Sequence, residues 1–126
     1  LIEHIIITGA WWDFIDGISP NTVGGLLKKY PKEMKKTLRS WNKSKHMWLR
    51  RSSILVQLKF KEETDPVLLG KFIERTMHEK EFFIRKAIGW ALREYSKTNK
   101  KWVKGFISKN KGELSNLSVR EGSKYI

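Results

Sequence analysis

Trp11-Trp12-Asp13-Phe14-Ile15-Asp16 places two indoles and two carboxylates within six residues. On a helix, Trp12 and Asp16 are four apart and share one face. An indole wall beside a carboxylate can hold a cation, or a transition state that develops positive charge. The carboxylates stand out because the chain is strongly basic, with a formal net charge of +13. Each residue also has a plainer reading. Trp12 could be a core residue, as helix tryptophans usually are. Asp16 could be a helix-end acid or an ion-pair partner of Arg51.

A second constellation comes from an internal echo. Trp48-Leu49-Arg50-Arg51-Ser52-Ser53-Ile54 can be laid on Phe83-Ile84-Arg85-Lys86-Ala87-Ile88-Gly89 by a shift of 35 residues. Apolar, basic and small positions recur in the same order, and Arg51 falls on Lys86. Trp90 lies four residues after Lys86 and shares its face. A period near this length is typical of helix pairs in HEAT-type α-solenoids. Such an array gathers equivalent faces onto one concave surface. Arg51, Lys86 and Trp90 are therefore expected to meet Trp12 and Asp16 in one groove, with cations for phosphates, aromatic planes and a single acid.

Here too there are structural alternatives. Arg51 could be an ordinary surface or salt-bridged arginine, and Trp90, beside Ala87, Ile88 and Ala91, could be core. Gly89 costs about 1 kcal/mol relative to alanine inside a helix, so its presence points to close approach by another group. Trp11, Trp41, Trp48 and Trp102 are assigned to packing.

The elements that must position these residues read as helices throughout. Gly9 closes a first piece, and residues 10–18 carry the Trp/Asp face. Val23, Leu26, Leu27 and Tyr30 form a stripe that Pro31 ends. A helix over about 32–42 buries Met34, Leu38 and Trp41, and another is expected over 46–60. Asp65-Pro66 starts the next, through Leu68, Leu69, Phe72, Ile73 and Met77. Residues 80–96 are the most strongly periodic. Asn99 is a cap for a helix around Trp102, Val103, Phe106 and Ile107. The stretch 112–126 reads as a polar, mobile tail with at most a short helix near 116–124. No convincing strand is predicted. The expected fold is all-α, HEAT-like repeats in a curved superhelix, in a single domain over residues 1–126.

Composition narrows the function classes. Cysteine is absent, which excludes disulfides and thiolate metal sites. His4, His46 and His78 show no ligand spacing, so no metal site is expected. No apolar run approaches a membrane span and no signal peptide is visible, so a cytoplasmic protein is expected. Residues 1–20 carry a charge of −3 and the remainder +16. That balance favours a polyanion partner, above all nucleic acid. The opening Leu-Ile-Glu-His-Ile-Ile-Ile-Thr reads as a helix already under way, so an amino-terminal portion of a longer protein is expected to precede it.

Three motifs, the Trp11–Asp16 run, residues 48–59 from Trp48 to Lys59, and residues 81–95 from Glu81 to Tyr95, resemble the DNA alkylation repair family. These are the AlkD-type DNA glycosylases with HEAT-like repeats. The likeness runs from about residue 8 to the end of the chain. It implies a monofunctional glycosylase that hydrolyses the N-glycosidic bond of cationic alkylpurines, such as 3-methyladenine and 7-methylguanine, in duplex DNA. Carried over motif by motif, Asp16 takes the place of the catalytic aspartate. Trp12 and Trp90 take those of the two active-site tryptophans, and Arg51 that of a DNA-contacting arginine. Lys86 joins the DNA-binding face through the repeat shift. The resemblance also implies a monomer that needs no cofactor and associates with the nucleoid. Family members carry further helices before the Trp-Trp-Asp motif that help to enclose DNA. The alternative is a non-catalytic helical-repeat module that binds DNA or RNA. A protein-binding scaffold fits the repeats but leaves the +16 stretch unexplained.

Overall fold

The computed structural model describes residues 23–126. Helix starts follow local chemistry. α1 (Gly24–Lys29) ends at Tyr30, and Pro31 opens α2 (Pro31–Asn42), where its missing N–H costs nothing. α3 spans Met47–Leu55 and α4 Pro66–Thr76. The Asp65 carboxylate caps α4, accepting from the backbone N–H groups of Val67 and Leu68 at 3.1 and 3.2 Å. α5 (Phe82–Ser96) is the longest, and α6 (Lys100–Lys109) starts at Asn99, whose side chain accepts from Trp102 N–H at 3.1 Å. α7 (Asn116–Gly122) starts at Ser115, which caps Ser118 N–H at 3.1 Å. No strand occurs among the described residues.

The helix expected over 46–60 is shorter. It ends at Leu55, and a 3-10 turn follows at Lys61–Glu63. Gln57 explains the break. Its side-chain oxygen accepts from Asp65 N–H at 2.6 Å and its amide donates to the Asp65 carbonyl at 3.3 Å, tying the loop to the start of α4. Lys61 adopts a left-handed φ of 51°, which a continuing helix forbids. Val56 and Phe60 are still buried in this loop, so apolar spacing alone resembled helix.

α3, α5 and α7 pack in succession as one layer, while α2 lies against both α3 and α4, and α6 against α5. The core has two parts. Ile54, Leu55, Ile73, Ile84, Ile88 and Leu92 centre one, and Val23, Leu38, Trp41, Val56 and Phe72 the other. Burying each such large side chain is worth about 1.5–3 kcal/mol. Asn42 crosses between elements, donating to Ser53 Oγ at 3.0 Å and to the Phe72 carbonyl at 3.3 Å. It thereby ties α2 to α3 and α4. The chain is an all-α array of helical repeats forming a superhelix.

The 35-residue echo is physical. Trp48 of α3 and Phe83 of α5, its counterpart under that shift, lie with ring centroids 5.1 Å apart. Lys86 and Glu121, again 35 residues apart, form an ion pair, so the stacking continues into α7. Residues 112–126 contain this helix, packed closely on α5. A Cβ added at Gly89 would lie 2.7 Å from Glu121 Cβ, and one at Gly122 would lie 3.0 Å from Leu92 Cβ. The close approach expected at Gly89 is α7.

Candidate functional site

α5 presents Phe83, Lys86, Trp90 and Arg93 at spacings of three, four and three, which keeps them on one side of the helix. Trp90 is partly buried against the larger core cluster. Lys86 is 44% exposed at its side chain, and its ammonium lies 3.2 Å from the Glu121 carboxylate of α7. Arg93 approaches the other oxygen of Glu121 at 3.5 Å. One acid thus holds two cations that flank Trp90. The Lys86 hydrogen bond and charge, with Arg93 and Lys124 adding to them against a desolvation cost, hold the Glu121 carboxyl below the usual range. Sequence reading missed both Glu121 and Arg93. The signal for Arg93 was available, because it continues the Lys86–Trp90 face.

Arg51 is only 3% exposed. Its guanidinium donates to the Phe83 carbonyl in the first turn of α5 and lies 5.7 Å from the Phe83 ring centroid. Of the residues expected in one groove, Arg51 reaches the start of the α5 stripe on which Lys86 and Trp90 follow. Trp12 and Asp16, the other half of the expected groove, lie outside the described residues.

The two basic residues of each echo divide their tasks. Arg50 grips the Glu79 carboxylate through Nε and a terminal nitrogen at 2.8–3.2 Å, and donates to the carbonyls of Ser44 and Lys45. Arg85, its counterpart, donates to the Glu79 carbonyl at 2.9 Å. Both anchor the turn before α5. The second basic residue of each pair, Arg51 or Lys86, is directed to the next helix in the layer.

Neither of two cavities, about 610 and 660 Å³, is lined by Arg51, Lys86 or Trp90. Among the described residues no group of three His, Cys, Asp or Glu could hold a metal ion, and no helix is long and apolar enough to cross a membrane.

The family model described as DNA alkylation repair enzyme matches residues 1–126, the whole chain. The chain belongs to that family. A solved structure from Enterococcus faecalis, described as a "Predicted DNA alkylation repair enzyme", superposes with a TM-score of 0.83 at 39% sequence identity. That match covers 93% of this chain and 54% of the other, so the chain spans about half the length of that family member. No curated protein matches. The family match takes in the Trp11–Asp16 run.

Proposed function

We propose that the chain carries the catalytic part of a monofunctional DNA glycosylase for cationic alkylpurines in duplex DNA. The observation that carries this reading is the family match across the whole chain, Asp16 included. Alkylation at N3 or N7 places a positive charge on the purine and makes it a good leaving group. As the C1′–N bond breaks, its electron pair neutralises the purine and positive charge builds on the deoxyribose. Asp16 stabilises that charge and orients the water that adds to C1′ as it loses a proton. The products are an abasic site and the free, neutral alkylpurine.

In this reading Trp12 and Trp90 face the sugar and the cationic nucleotide, each cation–π contact being worth about 0.5–2 kcal/mol. Lys86, beside Trp90, binds a phosphate and sets the register, while Arg51, buried and donating to the Phe83 carbonyl, fixes the start of the α5 face. The HEAT-like layer that carries them forms the concave, DNA-facing side. The enzyme acts as a monomer, without a cofactor, on nucleoid DNA. The test pairs binding with excision. Asp16→Asn is expected to keep salt-sensitive binding to methylated duplex and to lose base release. Equal excision by the variant removes Asp16 from catalysis, whereas binding without release by the parent chain favours a non-catalytic DNA-binding module.

A further inference from the structure

Between α4 and α6 lies an open, mainly apolar groove of about 660 Å³, and none of Phe83, Lys86, Trp90 and Arg93 lines it. Its floor is Gly70, Trp102 and Phe106. Both rings pack on α4 at Gly70, where an added Cβ would lie in ordinary contact, 3.4 Å from Phe106 and 3.5 Å from Trp102. Gly105 leaves the α6 wall low, with nothing within 4 Å of an added Cβ. Val67, 66% exposed, extends the apolar surface along α4.

The rim is basic. Lys71, Lys101 and Lys109 line the groove with one acid, Glu74, and none of the three lysines makes an ion pair among the described residues. The aromatic floor does not suit a nucleobase. One face of the Trp102 indole is covered by Phe106, stacked at 5.0 Å and 15°, and Tyr95 meets the same indole at 5.4 Å and 65°. The groove therefore offers ring edges and small residues, which fit aliphatic side chains, and cations along its sides. With 11 and 10 residues, α4 and α6 make walls about 15 Å long, the length of about three helical turns.

We propose that this groove docks one acidic amphipathic helix of a partner protein, its apolar stripe on Trp102 and Phe106 and its carboxylates on the lysine rim. This is helix-in-groove recognition by residues other than those proposed to contact DNA.

A fluorescent peptide of about 15 residues, with leucines at helical spacing and glutamates elsewhere, is the probe. Polarisation against the full chain is compared with a scrambled peptide of equal charge. The ordered peptide is expected to bind at least about tenfold more tightly than the scrambled one. Gly105→Leu, which fills the groove and favours the helix, is expected to weaken it by a further tenfold, as is Lys101→Glu/Lys109→Glu. Duplex DNA binding by Gly105→Leu should be unchanged. Equal binding of ordered and scrambled peptides overturns the proposal, as does indifference to Gly105→Leu. It is also overturned if single-stranded DNA competes for the groove, or if sedimentation shows a second copy of the chain occupying it.

Discussion

Glu121 sets how much positive charge the α5 face can offer. Its carboxylate occupies Lys86 at 3.2 Å and Arg93 at 3.5 Å, the cations nearest Trp90 in sequence. Glu121→Gln removes that competition while keeping shape. In the proposed reading both cations then engage phosphates. Duplex affinity should rise and log K against log salt should steepen by about 0.9 for each added contact. An unchanged slope in the variant would show that neither cation reaches DNA. The Arg50–Arg51 and Arg85–Lys86 pairs were legible as basic positions equivalent under the 35-residue shift, with Arg51 and Lys86 expected on the groove. Which member anchors the Glu79 turn and which turns to the next helix depends on tertiary geometry that periodicity does not encode.

Helices hold this face through two close approaches. Gly89→Ala should destabilise the fold by about 1–3 kcal/mol in urea unfolding, although alanine is the better helix former by about 1 kcal/mol. The added Cβ at 2.7 Å from Glu121 Cβ must push α7 away. A stabilised variant would mean that α7 does not pack as described. The start of α4 depends on Asp65. Burial acts to raise its pKa, but the Leu68 N–H, Lys35 and the Val67 N–H outweigh it and hold the carboxyl below the usual value. A depressed folded-state pKa contributes stability above the unfolded value, about 3.9, that is lost as pH falls through the folded one. Asp65→Ala should cost about 1 kcal/mol at neutral pH as a lost cap, and the difference from the parent should shrink below about pH 4. A deficit constant down to the folded pKa would contradict the capping role.

Caps made two helix starts readable, Asp65-Pro66 and Asn99, whereas Pro31, read as the end of a stripe, also opens α2. The end of α3 was not readable. Its loop buries Val56 and Phe60 at helix-like spacing, and the break depends on Gln57 meeting Asp65 eight residues on.

For the whole molecule, the 35-residue echo carried the architecture, because residues equivalent under that shift stack in space, as Trp48 and Phe83 do. The groove between α4 and α6 was not legible. Trp102 looked like packing and is packing, yet its ring edges also floor an open surface. The candidate site was legible in part. Trp90, Lys86 and Arg51 lie on adjacent elements, but Arg51 is buried beneath the layer and Lys86 is shared with an unforeseen acid. The proposed reaction is hydrolysis at a cationic alkylpurine, with Asp16 stabilising the developing charge. The most direct measurement is single-turnover release of 7-methylguanine from methylated duplex DNA by the parent chain and by Asp16→Asn. Release by the parent is expected, with a rate lower by at least about a hundredfold in the variant. Equal rates, or no release by the parent above the spontaneous background, would contradict the glycosylase reading with Asp16 as its acid.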